Sequence, residues 1–153
     1  MEWINKSRDM AHDPGFTPTP FGRKRRFGLL TDNNAWLAEN EAGNMRVQSL
    51  ASDLTLLSVL EIEPMLRKSD LDAKVINTVH DSLIIEASKE DAIEVGRIGV
   101  QVMENIPHKH LNTDIPFKVD CEFGYDWGHL HEVNNLNQDL DIEDIIGRRS
   151  NKS

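Results

Sequence analysis

Cysteine is nearly absent: Cys121 is the only one, so no internal disulfide can form, and a reducing cytoplasm is the expected setting. No apolar run approaches the ~18 residues of a membrane span, so no membrane partner is expected. The opening residues, Met1 to Lys6, lack the basic-then-apolar order of a signal peptide. No internal repeat is visible. Metal-binding cysteine pairs are also missing. His108 and His110, or His129 and His131, have i, i+2 spacing without the third ligand that zinc needs. Cys121 falls in the apolar phase of its segment, which fits a core thiol better than a nucleophile.

Positive charge is in deficit too. The 153 residues carry a formal net charge of −9, which taken alone argues against a nucleic-acid partner. The distribution is uneven, however. Lys6, Arg8, Arg23, Lys24, Arg25 and Arg26 face only Glu2, Asp9 and Asp13 within the first thirty residues. A basic segment on an acidic body can still hold phosphate locally. With 39% hydrophobic residues, the length suits one domain or part of one.

Along the chain, residues 2–12 read as a short helix closed by Asp13-Pro-Gly15. Phe16 to Phe27, with Pro18 and Pro20, reads as a loop or irregular extended segment. From about Asn34 a long helix is expected. Val47, Leu50, Ala51, Leu54 and Leu57 would form its buried face, widened by Leu56, Val59 and Leu60, and Pro64 should end or kink it. Lys74–His80 and Leu83–Ala87 are β-branched-rich and read as a hairpin turning at Asp81-Ser82. Ser88 with Asp91 loosely fits a capping box for a helix to about Asn105, with Ala92, Val95, Gly99 and Val102 on one side and Pro107 as its stop. Residues 116–123 alternate as a half-buried strand, with Phe117, Val119, Cys121 and Phe123 on one face. The fold class expected is α+β. Residues 1–132 form the folded part, and 133–153 a polar, mobile tail with a short helix around Asp141 to Ile146.

Asp81, at a hairpin turn, is a candidate metal ligand because its oxygens would project beyond rigid strands; Asp is also simply common at turns. Asn44 and Gln48 are four apart, so a helix shows them on one face, either as solvated amides or as donors to minor-groove acceptors. Arg23, Arg25 and Arg26 could meet phosphates, or form a solvated basic loop.

Four stretches resemble family A (DNA polymerase I-like) DNA polymerases. Thr19-Pro-Phe-Gly-Arg-Lys-Arg-Arg26 is similar to the family's Thr-x-x-Gly-Arg-x-Arg segment. Asn44-Met-Arg-Val-Gln-Ser-Leu-Ala-Ser-Asp-Leu54 resembles its Asn-x-x-x-Gln-x-x-x-x-Asp-Leu helix start. Val79-His-Asp81 resembles its Val-His-Asp-Glu hairpin, and Phe123-Gly-Tyr-Asp-Trp127 the Gly-x-x-Trp near the end of many such chains. The order matches as well.

The resemblance implies part of a polymerase palm, with a hairpin and a third strand packed against helices. It implies Asp81 as a catalytic Mg2+ ligand, His80 near the primer end, and Asn44, Gln48, Arg23, Arg25 and Arg26 on primer–template DNA. A deoxynucleoside triphosphate would be the co-substrate. The family's other metal-binding Asp and its nucleotide-binding fingers helix have no counterpart here. A partner fragment carrying these upstream segments is therefore expected, as in a split polymerase of a phage acting in its bacterial host's cytoplasm. Ser82 stands where the family usually has Glu, which lowers the negative charge beside the metals. Two other expectations stay open: a non-catalytic DNA-binding remnant, and a module that docks replication partners.

Overall fold

A computed structural model describes residues 2–147. The fold is α+β, and its strands form three separate two-stranded antiparallel sheets among the described residues. The backbone divides into two compact units between Asp53 and Leu54. That seam lies inside the long helix α2 (Ala35–Lys68), where α1 is Glu2–His12.

In the first unit, α1 ends as expected, before Gly15, whose φ of +78° suits a residue without Cβ. Ala11, Ala38 and Ala42 form a core of small side chains, with Phe27 and Leu30 packed against it. Buried Ser7 satisfies its hydroxyl by donating to the Trp3 carbonyl at 2.9 Å. The stretch expected as a loop or irregular extended segment from Phe16 is a hairpin: β1 (Phe16–Pro18) pairs with β2 (Lys24–Arg26), Phe16 opposite Arg26. The turn is closed by local bonds. Gly22 N donates to the Thr19 carbonyl at 2.9 Å, and Thr19 N donates to the Arg23 carbonyl at 2.7 Å. Gly22 takes a φ of +83°. Pro18 is tolerated because a two-stranded ribbon has only edge strands. Prolines and a basic run hide strands of three residues from any periodicity argument.

The buried face of α2 also differs from the expectation. Val47, Leu56 and Leu60 are exposed, whereas Leu54, Thr55, Ser58, Ile62 and Leu66 are buried. Two hydroxyl residues therefore occupy the inner face. Ser58 Oγ donates to the Leu54 carbonyl at 2.9 Å, which removes the cost of burying it. Hydrophobicity alone assigns such positions to solvent.

Neither proline stops its helix. Pro64 lies inside α2 and Pro107 inside α3 (Ala92–Leu111), each four residues before the end. One further turn continues past each, and burial of Leu66 in α2 and of Ile106 and Pro107 in α3 offsets the hydrogen bond a proline removes.

In the second unit, β3 (Ala73–Val79) and β4 (Ser82–Ala87) form the expected hairpin, with a bulge that leaves Ile76 unpaired between Val75 and Asn77. Helix α3 buries Val95, Gly99 and Val102 as expected. Its N-cap is Asp91 rather than Ser88. Ser88 instead exchanges two bonds with Asp91, donating its hydroxyl to Oδ2 at 2.8 Å and accepting from Asp91 N at 3.2 Å.

The strand expected over 116–123 shrinks to β5 (Glu122–Phe123), paired with β6 (His131–Glu132). Burial still alternates from Phe117 to Phe123, but residues 116–121 have no ladder partner among the described residues. The alternation thus reports packing rather than pairing. Val119 N, for example, donates to the Glu104 carboxylate at 3.3 Å.

Within the stretch expected as a polar tail, residues 133–147 make packing contacts and include the short helix expected around Asp141 to Ile146. Leu136, Ile142 and Ile145 are buried. Helix α4 (Ile142–Ile146) is capped by Asp141, whose carboxylate accepts from Glu143 N at 2.8 Å. Arg97 donates to the carbonyls of Leu136 and Gln138 at 2.7 and 3.1 Å, and Lys89 pairs with Glu143. The apolar residues of this stretch, spaced unevenly among Asn and Asp, form no periodic signal. The rest of the expected tail, 148–153, lies outside the described residues.

Candidate metal ligand and nucleic-acid interface

In the second unit, the β3–β4 turn consists of His80 and Asp81, with Val79 opposite Ser82. This is one residue earlier than the expected Asp81-Ser82 turn. His80 sits at the first turn position with φ +56°, the left-handed geometry that two-residue hairpin turns require there. Histidine visits that region more readily than branched residues do. Both His80 and Asp81 are exposed at the apex. The Asp81 backbone is anchored from below: Thr55 Oγ1, from an almost wholly buried residue, donates to the Asp81 carbonyl at 3.1 Å. Thr55 is a residue that sequence reasoning missed.

A two-ion site needs carboxylates that bridge metals about 4 Å apart. Among the described residues no three His, Cys, Asp or Glu side chains converge in a way that could hold a metal. The described residues, Asp81 included, therefore do not form a complete metal site. A groove of about 650 Å³ lined by Lys89, Arg97, Asp139 and Asp144 contains none of the candidate residues.

In the first unit, Asn44 and Gln48 are exposed on α2, one turn apart. The three arginines differ. Arg23 Nη2 lies 2.9 Å from Asp53 Oδ1 and donates to the Ser49 carbonyl at 3.1 Å. Arg25 pairs with Glu41 at 2.6 Å in a half-exposed contact. Arg26 is exposed at the end of β2. Lys24 lies over the Phe16 ring, 4.5 Å from its centre. Asp53 stands inside the Asn44–Leu54 motif, so its position was legible in sequence while its role was not.

The Phe123–Trp127 motif forms a tight corner. Gly124 is required there, since a Cβ would lie 2.2 Å from the His129 carbonyl oxygen. The Asp126 carboxylate accepts from Gly128 N at 2.8 Å and contacts His129 Nδ1 at 2.9 Å. The hydrogen bond from His129 is the main reason its carboxyl lies below its usual range, aided by the one from Gly128. Tyr125 and Trp127 project into solvent. No helix among the described residues is long and apolar enough to cross a membrane.

Residues 1–129 match the family model for DNA polymerase family A. The chain is 34% identical over 131 residues to the thermostable DNA polymerase I of Thermus aquaticus, covering 82% of this chain and 15% of that protein. It is 30% identical over 152 residues to the DNA polymerase of Bacillus phage SP01, covering 94% of this chain and 16% of the phage protein. It thus spans only about one-sixth of these relatives' length. The fold is similar to that of the POL domain of Pol1 from M. smegmatis, solved in complex with DNA primer-template and dNTP. The TM-score is 0.61 at 23% identity, over 69% of this chain and 19% of that one. With the match running through the arginine hairpin, the Asn44–Gln48 helix face and the Asp81 turn, the chain belongs to DNA polymerase family A.

Proposed function

We propose that this chain acts as the C-terminal palm part of a DNA-directed DNA polymerase. In this reading it holds primer–template DNA and contributes Asp81 to a Mg2+ site for nucleotidyl transfer from a deoxynucleoside triphosphate. Further polymerase segments, on an upstream partner fragment, complete the site. The observation that carries the reading is the exposed Asp81 at the apex of the β3–β4 hairpin, within a chain of this family. Arg26 and Arg25 are available to phosphates, Asn44 and Gln48 to minor-groove acceptors, and His80 to the primer end. When bound, Mg2+ would supply charge stabilisation at the transferred phosphoryl group. The cytoplasm would be the site of action.

Ser82 favours a second reading, a DNA-binding module without catalysis, because it leaves the apex with one carboxylate. Primer extension separates the two. The chain is assayed alone and mixed with a family A fragment carrying the fingers and the first metal-binding strand, with Asp81→Ala as control. Extension in the mixture that disappears in Asp81→Ala supports the catalytic reading. DNA binding with no extension, or extension indifferent to Asp81, leaves the binding module.

A further inference from the structure

Resting on that reading, we propose that Arg23 is a positioning residue, not a phosphate ligand. Its pairing with Asp53 seats the β1–β2 hairpin on α2 and fixes the stretch that presents Asn44 and Gln48. Arg23 is held at both ends. Its backbone carbonyl accepts from Thr19 N, and its own N donates to Thr19 Oγ1 at 3.2 Å, so the turn fixes where the side chain starts. Nη2 then reaches two acceptors one turn apart on α2, the Ser49 carbonyl and Asp53 Oδ1. Ser49 adjoins Gln48 in sequence.

Asp53 explains why the arginine points inward. Its side chain is only 12% exposed, and Oδ2 is buried with no hydrogen-bond partner among the described residues. A carboxylate taken out of water in this way needs a compensating cation, and breaking such a pair from one side leaves the charge stranded. A phosphate could draw Arg23 away only by creating that situation. The neighbouring cations are under no such constraint. Arg25 and Glu41 are both about half exposed, so little binds one to the other. Arg26 lies open on the same hairpin.

The run Arg23-Lys-Arg-Arg26 therefore divides by role along its length. Its first arginine builds the interface and its last is free to meet DNA. The sign of one substitution distinguishes this division from a uniform phosphate clamp. If Arg23 gripped phosphate, neutralising Asp53 would release it and remove a negative charge, so binding would tighten. If the pair positions α2, the same change loosens the hairpin and binding weakens.

The experiment measures fluorescence anisotropy of a labelled primer–template with the full chain over a range of salt, for Asp53→Asn, Arg23→Gln, the double variant, Arg23→Lys and Arg26→Gln. The expected result is a loss of roughly tenfold for Asp53→Asn and for Arg23→Gln, with the double variant no worse than either, as residues in one contact behave. The slope of log K against log salt stays at the wild-type value in these variants. It falls by about one in Arg26→Gln, which loses a phosphate contact. Tighter binding by Asp53→Asn, additive losses, or a reduced slope in Arg23→Gln overturns the proposal. Should Asp53→Asn or Arg23→Gln fail to fold, Arg23→Lys decides. It keeps the charge but not the double reach, so weaker binding at wild-type slope supports positioning, and wild-type affinity overturns it. Failure of the wild-type chain to bind DNA is a separate result, which overturns the polymerase reading itself.

Discussion

Thr55 and Asp81 are joined by one hydrogen bond of 3.1 Å, from a buried hydroxyl on α2 to the backbone carbonyl of the hairpin apex. The side chain of Asp81 thereby stays exposed while its backbone is tied to a helix. A metal ligand benefits from such support, because a carboxylate on a loose turn samples positions that do not coordinate. Thr55→Val keeps the shape and removes the donor. The expected cost is about 1 kcal/mol of stability. Amide exchange at Asp81 and Ser82 should accelerate, and reconstituted primer extension should fall several-fold. DNA affinity should stay at the wild-type value. Loss of affinity in parallel with activity would show that the bond supports more than the apex.

Gly96 is a second support that the sequence does not advertise. A Cβ there would lie 2.7 Å from Phe123 Cζ and 3.3 Å from Cys121 Sγ, so the glycine lets these side chains pack on α3. Gly96→Ala should destabilise the chain by roughly 1–3 kcal/mol through overpacking, read as a lower urea midpoint at unchanged slope. Adding Phe123→Leu, which removes the clashing ring edge, should recover part of the loss. Gly99 serves as the control. A Cβ there meets only Ile85 Cδ1 at 3.8 Å, so Gly99→Ala should cost nothing or gain slightly through helix propensity.

How much of this was legible beforehand follows from which signals are local. The end of α1 shows in a breaker tripeptide, and the β3–β4 hairpin and the inner face of α3 in residue patterns, and the structure contains them. The family resemblance was carried by residues at turns and on helix faces, where geometry restricts residue choice most. What stayed hidden depends on partners distant in sequence. Thr55 and Ser58 read as outward-facing until the carbonyls they satisfy are located. Pro64 reads as a stop or kink and Pro107 as a stop, because burial beyond them has no local signature. Asp53 was visible as part of a motif, yet only the structure pairs it with Arg23 across thirty residues of sequence.

His80 offers a test that separates conformation from contact. An L-residue at φ +56° costs about 1–2 kcal/mol relative to glycine, while glycine returns roughly 0.5–1 kcal/mol as chain entropy. His80→Gly should therefore leave stability unchanged or raise it by up to about 1 kcal/mol. His80→Val, with a branched Cβ, should lower it. If the imidazole also meets the primer end, both variants lose extension activity, and activity then fails to follow stability. Activity that tracks stability across the two would assign His80 to the turn alone. Thermal melts and primer extension on the same three proteins measure both.

Cys121 lies half-buried beside α3, and burial, with a smaller push from the Glu122 carboxylate, raises its thiol from 9.0 to about 11. The folded state thus favours the neutral thiol more than the unfolded chain does. That contribution to stability is fully present below pH 9 and is lost progressively as pH rises towards 11. Only the thiolate is nucleophilic, so iodoacetamide should modify the native chain slowly at pH 8. The rate should climb to a midpoint near pH 11 in the native chain and near 9 in urea. Cys121→Ala should abolish the modification and flatten the alkaline limb of the stability curve. A native midpoint near 9 would mean that the segment from Phe117 to Phe123 leaves α3 often enough to expose the thiol.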